Sequence, residues 1–253
     1  MTHGVRLDRL LVDRGLVASR ERAQRLILAG EVLVDDRPVG KPGSLVAATA
    51  ELRLRRAPAP WVSRGGEKLA AALDACQVDP HDRVCLDVGA STGGFTDVLL
   101  RRGARRVIAL DVGYGQLAWS LRQDPRVTVL ERTNVRRLEA ALLPETPSLV
   151  TIDVSFISLA LVLPAVRRVL EPGAEVLALV KPQFEAGRSQ VGKGGVVRDP
   201  EVRAACVARV REAAEAAGFA VAGSVDSILP GPKGNRETFL HLRASGQGAE
   251  AHG

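Results

Sequence analysis

Val84-Cys85-Leu86-Asp87-Val88-Gly89-Ala90-Ser91-Thr92-Gly93-Gly94-Phe95 reads as a buried strand, a glycine-rich turn and the start of a helix. Gly89, Gly93 and Gly94 lack the Cβ that would hold a ligand off the backbone, so the turn is expected to cradle a cofactor. Its spacing is neither the G-x-G-x-x-G of a dinucleotide fold nor a Walker loop ending in Gly-Lys-Ser/Thr. A second strand from Arg106 closes on Asp111, roughly 20 residues after the glycines, where a carboxylate can accept hydrogen bonds from the two ribose hydroxyls of an adenosine. Asp87, read as the end of the first strand, favours one adenosine cofactor over another. A carboxylate at the turn repels a pyrophosphate but not the ammonium and sulfonium of S-adenosylmethionine, which is therefore the expected cofactor. A packing turn that holds no ligand is the plain alternative.

Composition bounds the rest. A chain of 253 residues with 46% hydrophobic content can bury a full core and a small accessory domain. Its 35 Lys+Arg against 29 Asp+Glu give a formal charge of +6, which suits a polyanionic partner but also fits a solvated arginine-rich surface. Cys76, Cys85 and Cys206 are odd in number and set in apolar context, so reduced core cysteines and a cytoplasmic location are expected. The opening Met1 to Arg6 shows no signal-peptide pattern. The apolar window 149–169 is broken by Asp153, Pro164, Arg167 and Arg168, which argues against a membrane span. His3, His81, His241 and His252 have no metal-ligand spacing, so no metal is expected.

Residues 5–55 form a separate unit in the pattern. Leucines and valine on one face of Arg6 to Arg14 give a helix that Gly15 stops, and Ser19 caps a second helix from Arg20 to Ala29. Alternation in 31–39, with a turn at Asp35-Asp36, and again in 51–54 adds a small sheet. Arg6, Arg9, Arg20, Arg22 and Arg25 crowd the helical part, and with Arg64 they are the expected phosphate contacts. The alternating prolines of 56–62 mark a stiff linker, and 244–253 a disordered tail. Over 63–243 strands alternate with helices, which predicts a parallel Rossmann-like α/β sheet covered on both faces.

In such a sheet ligands bind beyond the carboxyl ends of the strands. Asp153 and Lys181 each close an apolar strand there; Lys68 and Glu237 flank the sheet in sequence, and the four are expected to converge beside the cofactor. Two unrelated surface ion pairs are the competing reading. Lysine occurs only at 41, 68, 181, 193 and 233, while arginine carries nearly all other positive charge. Lysine, unlike arginine, can give up its proton, so its use at 68 and 181 favours acid–base chemistry.

The runs Ser63-Arg64-Gly65-Gly66-Glu67-Lys68-Leu69, Asp87 to Thr96, Asp111 to Trp119, Glu131-Arg132-Thr133-Asn134, Asp153 to Ser158, Val180 to Glu185 and Gly234-Asn235-Arg236-Glu237 resemble the TlyA family. Those ribosomal RNA 2′-O-methyltransferases, long labelled haemolysins, carry an FtsJ-like catalytic domain; the segment from Arg6 to Leu54 resembles the RNA-binding module of ribosomal protein S4. The resemblance implies a catalytic tetrad of Lys68, Asp153, Lys181 and Glu237. It implies S-adenosylmethionine held by Asp87, Gly89, Ala90, Ser91, Thr92, Gly93, Gly94, Phe95, Asp111, Asn134 and Asp153. The implied target is a cytidine 2′-hydroxyl of ribosomal RNA or a ribosomal subunit. Relatives that modify both subunits tend to have a longer C-terminal extension, so large-subunit RNA is the expected target. No membrane and no stable protein partner are implied.

A ribose hydroxyl is a poor nucleophile near neutral pH. Lys181 beside Lys68 is expected to take its proton or stabilise the alkoxide, with Asp153 and Glu237 orienting the pair. The competing functions are a nicotinamide dehydrogenase, a membrane-lytic protein and a non-catalytic RNA binder. The glycine spacing and lysines oppose the first, 3% aromatic content without a span the second, and the intact tetrad the third.

Overall fold

The computed structural model describes residues 4–17, 19–55 and 61–246, which fall into two compact units divided between Pro60 and Trp61. In the first unit β1 (Val5–Arg6) runs into α1 (Leu7–Asp13), followed by α2 (Arg20–Leu28), β2 (Val32–Val34), β3 (Arg37–Pro38), β4 (Leu45–Val46) and β5 (Leu52–Leu54). Ser19 Oγ accepts the Arg22 N–H and caps α2, as its place before the apolar periodicity predicts. Asp35 and Asp36 turn the β2–β3 hairpin with φ of 48° and 61°, the left-handed pair that matches strand twist. Leu7, Leu11, Ala23, Ile27 and Val32 form a core of this unit's own. The antiparallel pairing of β1 with β4 is an element that two-residue strands leave no periodicity to reveal.

The second unit opens with α3 (Arg64–Cys76), β6 (Val84–Val88), α4 (Gly94–Arg101), β7 (Arg106–Leu110), α5 (Trp119–Arg122), β8 (Val127–Leu130), β9 (Leu149–Ile152) and α6 (Leu159–Arg167). It continues with β10 (Glu175–Val180), α7 (Pro182–Glu185), α8 (Pro200–Ala216), β11 (Phe219–Asp226) and β12 (Thr238–Ala244). The seven strands lie in the order β11-β12-β10-β9-β6-β7-β8, with β12 alone antiparallel to its neighbours. Strands buried on both faces need apolar residues at successive positions. Val84, Leu86 and Val88 of β6 join the cluster under α6 and α8, whereas Cys85 joins the opposite one with Leu69, Val98 and Phe239.

Two boundaries differ from expectation. Trp61 and Val62 belong to the second unit and not to a linker: Trp61 packs on its core and the Val62 N–H donates to Asp97 Oδ2 at 2.9 Å. Residues 56–60 of the expected linker lie outside the described residues. At the other end Ala244 completes β12 opposite Phe219 and the Ser245 N–H donates to the Gly218 carbonyl, so an extended tail does not begin at 244. Residues 247–253 of that expected tail are outside the described residues.

Candidate active site

Sheet register assembles the site. Asp153 follows β9, its N–H donating to the Val88 carbonyl, so it lies beside Gly89. Val180 pairs with Thr238, and one step further along that antiparallel ladder stand Lys181 and Glu237. Lys68 arrives from α3, whose start crosses the start of α4. A Cβ on Gly94 would stand 2.1 Å from Ser63 Oγ and 3.0 Å from the Gly66 backbone nitrogen, so glycine favours that close approach.

The four tetrad residues make two ion pairs along one cavity of about 200 Å³. Lys68 Nζ donates to Glu237 Oε2 at 2.5 Å, with side chains 9% and 1% exposed. Lys181 Nζ lies 2.5 Å from Asp153 Oδ1 and donates to Ser155 Oγ at 3.1 Å. Glu237 Oε1 is buried against Gly231 and has no hydrogen-bond partner among the described residues. Arg64, exposed at the first turn of α3, also lines this cavity.

A second cleft of about 900 Å³ meets the first at Gly89, Ser91 and Asp153. Its wall includes Leu110, Val112, Val135 and Leu161, with Asp111 and Asn134 as polar groups. Both Asp111 oxygens already accept backbone N–H groups, Oδ2 from Ser91 at 2.8 Å and Oδ1 from Gly113 at 2.7 Å, which fixes the carboxylate while leaving each oxygen a further lone pair. Asn134 Oδ1 accepts the Arg136 N–H. An apolar wall for a base, a fixed carboxylate for a diol and a charged cavity next door fit an adenosine bearing a charged side chain.

The glycine turn works differently from the expected cradle. The N–H groups of Gly89 and Ala90 both donate to the Leu110 carbonyl, Ser91 donates to Asp111 and Gly93 to the Ala90 carbonyl. These donors shape the turn and are not held open for a ligand. Gly89 has φ +86°, and its missing Cβ would lie 2.5 Å from the Asp153 carbonyl; on Gly93 it would meet Leu121. Thr92 lines the first cavity, and Phe95, 4% exposed, stands between that cavity and Phe239.

Asp87 also needs correction. It is the fourth residue of β6, not its end, and is fully buried, so it is absent from the walls of both clefts. Thr96 Oγ1 donates to it at 2.7 Å and Thr151 Oγ1 at 3.2 Å, tying the start of α4 to β9 beneath the turn. Burial pushes its pKa up to about 7 against these hydrogen bonds, with nearby Asp153 adding to the rise.

Sequence reasoning gave no role to Phe156, which stands 91% exposed on the lip of the second cleft with φ 64° and packs on Phe184 at 5.0 Å between centroids. The Ser158 hydroxyl and Leu159 N–H donate to Glu185 and fasten this lip to α7; burial raises the Glu185 pKa. The signal was the scarcity of phenylalanine, five in the chain, two of them here.

In the first unit the expected phosphate contacts divide. Arg6 and Arg20 donate to buried Asp8, which also accepts from Gln24; the Arg6 hydrogen bonds hold the Asp8 pKa well below the usual carboxylate range. Arg9 pairs with Asp13 at 3.5 Å, Arg22 lies partly buried on α2, and Arg25 is exposed. These pairings fix Arg6 and Arg20 on one face, each still about half exposed.

Sheet order, a cleft at the strand ends and an adenosine-shaped wall beside a charged cavity define a Rossmann-like methyltransferase. The family of FtsJ-like methyltransferases matches residues 61–244, and the S4 domain family matches residues 5–52. The chain is 52% identical to the 16S/23S rRNA (cytidine-2′-O)-methyltransferase TlyA of Mycobacterium tuberculosis, covering 96% of this chain and 91% of that one. It is 38% identical to Hemolysin A of Brachyspira hyodysenteriae over 94% of this chain and 99% of the relative. A solved structure from Streptococcus thermophilus, described as a "putative hemolysin", superposes with a TM-score of 0.76 at 43% identity, covering 97% and 90% of the two chains. The chain belongs to the TlyA family. Among the described residues no helix is long and apolar enough to cross a membrane.

Proposed function

We propose that this protein transfers a methyl group from S-adenosylmethionine to a cytidine ribose 2′-hydroxyl of ribosomal RNA, acting in the cytoplasm where ribosomes are. The observation that carries the reading is the double ion pair, Lys68 with Glu237 and Lys181 with Asp153, on a cavity continuous with the cleft of Asp111. Asp111 and Asn134 would hold the adenosine end, with Gly89, Ser91 and Asp153 at the junction. When bound, the cofactor supplies a methyl already activated by positive sulfur. The chain has then to place and deprotonate the hydroxyl. Lys181 is the residue for the proton, because it stands at the junction through Asp153 and is less enclosed than Lys68. Glu237, buried against Lys68, holds the far side. Holding hydroxyl and methyl at contact distance supplies much of the rate.

The domain matched to the S4 family supplies phosphate contacts through Arg6, Arg9, Arg20, Arg22 and Arg25, and Arg64 meets the RNA at the cavity mouth. The name of the M. tuberculosis relative covers both ribosomal RNAs, so large-subunit and small-subunit RNA, free and assembled, are the substrates to offer. Transfer of labelled methyl from S-adenosylmethionine, with the modified ribose mapped by blocked primer extension, tests the reading. Lys181→Arg is expected to bind the cofactor normally and lose transfer, because charge survives and the removable proton does not. Near-normal turnover in that variant shows Lys181 to be a counter-ion only.

A further inference from the structure

Arginines of the catalytic unit differ in their partners. Arg83, Arg101, Arg102, Arg105, Arg106, Arg122, Arg126 and Arg243 each face a carboxylate within ion-pair distance. Among the described residues the other twelve are in no ion pair, and three of these, Arg203, Arg211 and Arg236, come together to line one groove of about 430 Å³ between α8 and the β11–β12 edge of the sheet. Arg203 donates to the Arg198 carbonyl at 2.8 Å and Arg211 to Ser224 Oγ at 2.9 Å, so both are steadied by neutral acceptors that leave the charge uncompensated. The acid of the groove, Asp226, accepts from Thr238 Oγ1 at 2.8 Å.

The groove's place gives it meaning. Pro182 and Thr238 line it, and they are the chain neighbours of Lys181 and Glu237, which line the catalytic cavity. Neighbouring residues of extended chain point to opposite faces, so groove and cavity share one rim of the sheet. Arg203 and Arg211 are eight residues apart on α8. That separation is about 12 Å along a helix axis, enough to meet different phosphates.

We propose that this groove binds the phosphodiester backbone of the RNA that flanks the target nucleotide, a second anchor carried by the catalytic unit itself. The inference rests on the RNA-methylating reading of the neighbouring cavity. Three guanidinium groups without carboxylates suit phosphate oxygens, which they can meet through paired N–H donors. The contacts carry no sequence information; they hold the strand as it passes over the rim.

The test uses the full chain and ribosomal RNA fragments. The variant Arg203→Gln/Arg211→Gln is expected to weaken RNA binding about tenfold and to reduce the slope of log affinity against log salt by about one for each lost contact. Its KM for RNA should rise while kcat at saturating RNA and affinity for S-adenosylmethionine stay at wild-type values. Arg236→Gln should weaken RNA binding in the same way. Arg102→Gln, which removes the same charge from an arginine paired with Asp74 at 2.7 Å, is the control and should leave the slope unchanged. Groove variants with the wild-type slope, or a control that falls equally, overturn the proposal. RNA binding is measured apart from methyl transfer, so a wild-type protein that methylates no RNA refutes the functional reading while the groove is still judged by its own slope.

Discussion

Replacing Glu237 by alanine separates the structural from the chemical contribution of the Lys68–Glu237 pair. Both side chains are at least nine-tenths enclosed, so the substitution leaves the Lys68 ammonium without the partner it has at 2.5 Å. Breaking a buried pair from one side costs about 3–5 kcal/mol. Against a typical domain stability of about 5–15 kcal/mol that is a large share. At roughly 2–4 °C per kcal/mol for a unit of this size, the midpoint should fall by about 6–20 °C. Asp153→Ala should cost less, because Asp153 is 25% exposed against 1% for Glu237 and Lys181 keeps Ser155 Oγ at 3.1 Å. Trp61 and Trp119 are the chain's two tryptophans and both lie in the catalytic unit, so urea unfolding followed by their fluorescence reports that unit within the intact protein. The double variant Lys68→Met/Glu237→Leu should recover most of the lost stability, since an apolar pair of similar volume can replace a buried ion pair, and still transfer no methyl. An alanine variant within 1 kcal/mol of wild type, or a double variant that remains active, refutes this account.

Two further outcomes follow from the same geometry. Burial raises the Asp87 pKa to about 7, so the folded state holds a proton that the unfolded chain releases near 3.8; its stabilising contribution is complete below about 3.8 and lost as pH rises to about 7. At constant salt, wild type should therefore lose stability relative to Asp87→Asn across that window, by up to about 4 kcal/mol, and urea curves whose difference is flat with pH would contradict it. Removing residues 1–60 should leave a folded unit that binds S-adenosylmethionine, because its two apolar clusters lie wholly beyond Trp61, while RNA methylation collapses; truncated protein that methylates RNA at the full rate would remove the first unit from substrate binding.

Much of the fold was legible because its signals are local. Apolar runs closing on Asp111, Asp153 and Lys181, Ser19 before α2 and Asp35-Asp36 in the hairpin each depend on a few neighbouring residues. The convergence of Lys68, Asp153, Lys181 and Glu237 followed from strand-end logic together with the rarity of lysine. What the sequence could not tell was who pairs with whom. The tetrad was expected to hold two lysines oriented by two acids, but nothing in the sequence assigned Glu237 to Lys68 and Asp153 to Lys181. Likewise Arg6 and Arg20 read as free surface charge because Asp8, which both of them meet, gives no local sign that it is buried. Pairing depends on side-chain direction across separate elements, and periodicity does not carry it.

At the glycine turn the structure gives the glycines a different task from the one expected. Glycines at 89 and 94 were read as making room for a ligand, but the space they clear is filled by the protein: the Asp153 carbonyl at one and the Ser63 hydroxyl at the other. These approaches set Asp153 against the turn and bring α3, with Lys68, across the start of α4. Asp87 ties the same pieces from below through Thr96 and Thr151. The turn therefore acts on the chemistry by placing charged side chains, and a substitution there should disturb the ion pairs before it touches a cofactor. Lys181 gains most from this. An ammonium has three protons; Ser155 takes one and Asp153 lies against the group, so it is loss of the remaining proton that turns a lone pair toward a hydroxyl entering between the two clefts. That hydroxyl would meet an amine already oriented, with Asp153 in place to balance the charge once the proton is taken, and this proton-taking step is what Lys181→Arg is expected to disable.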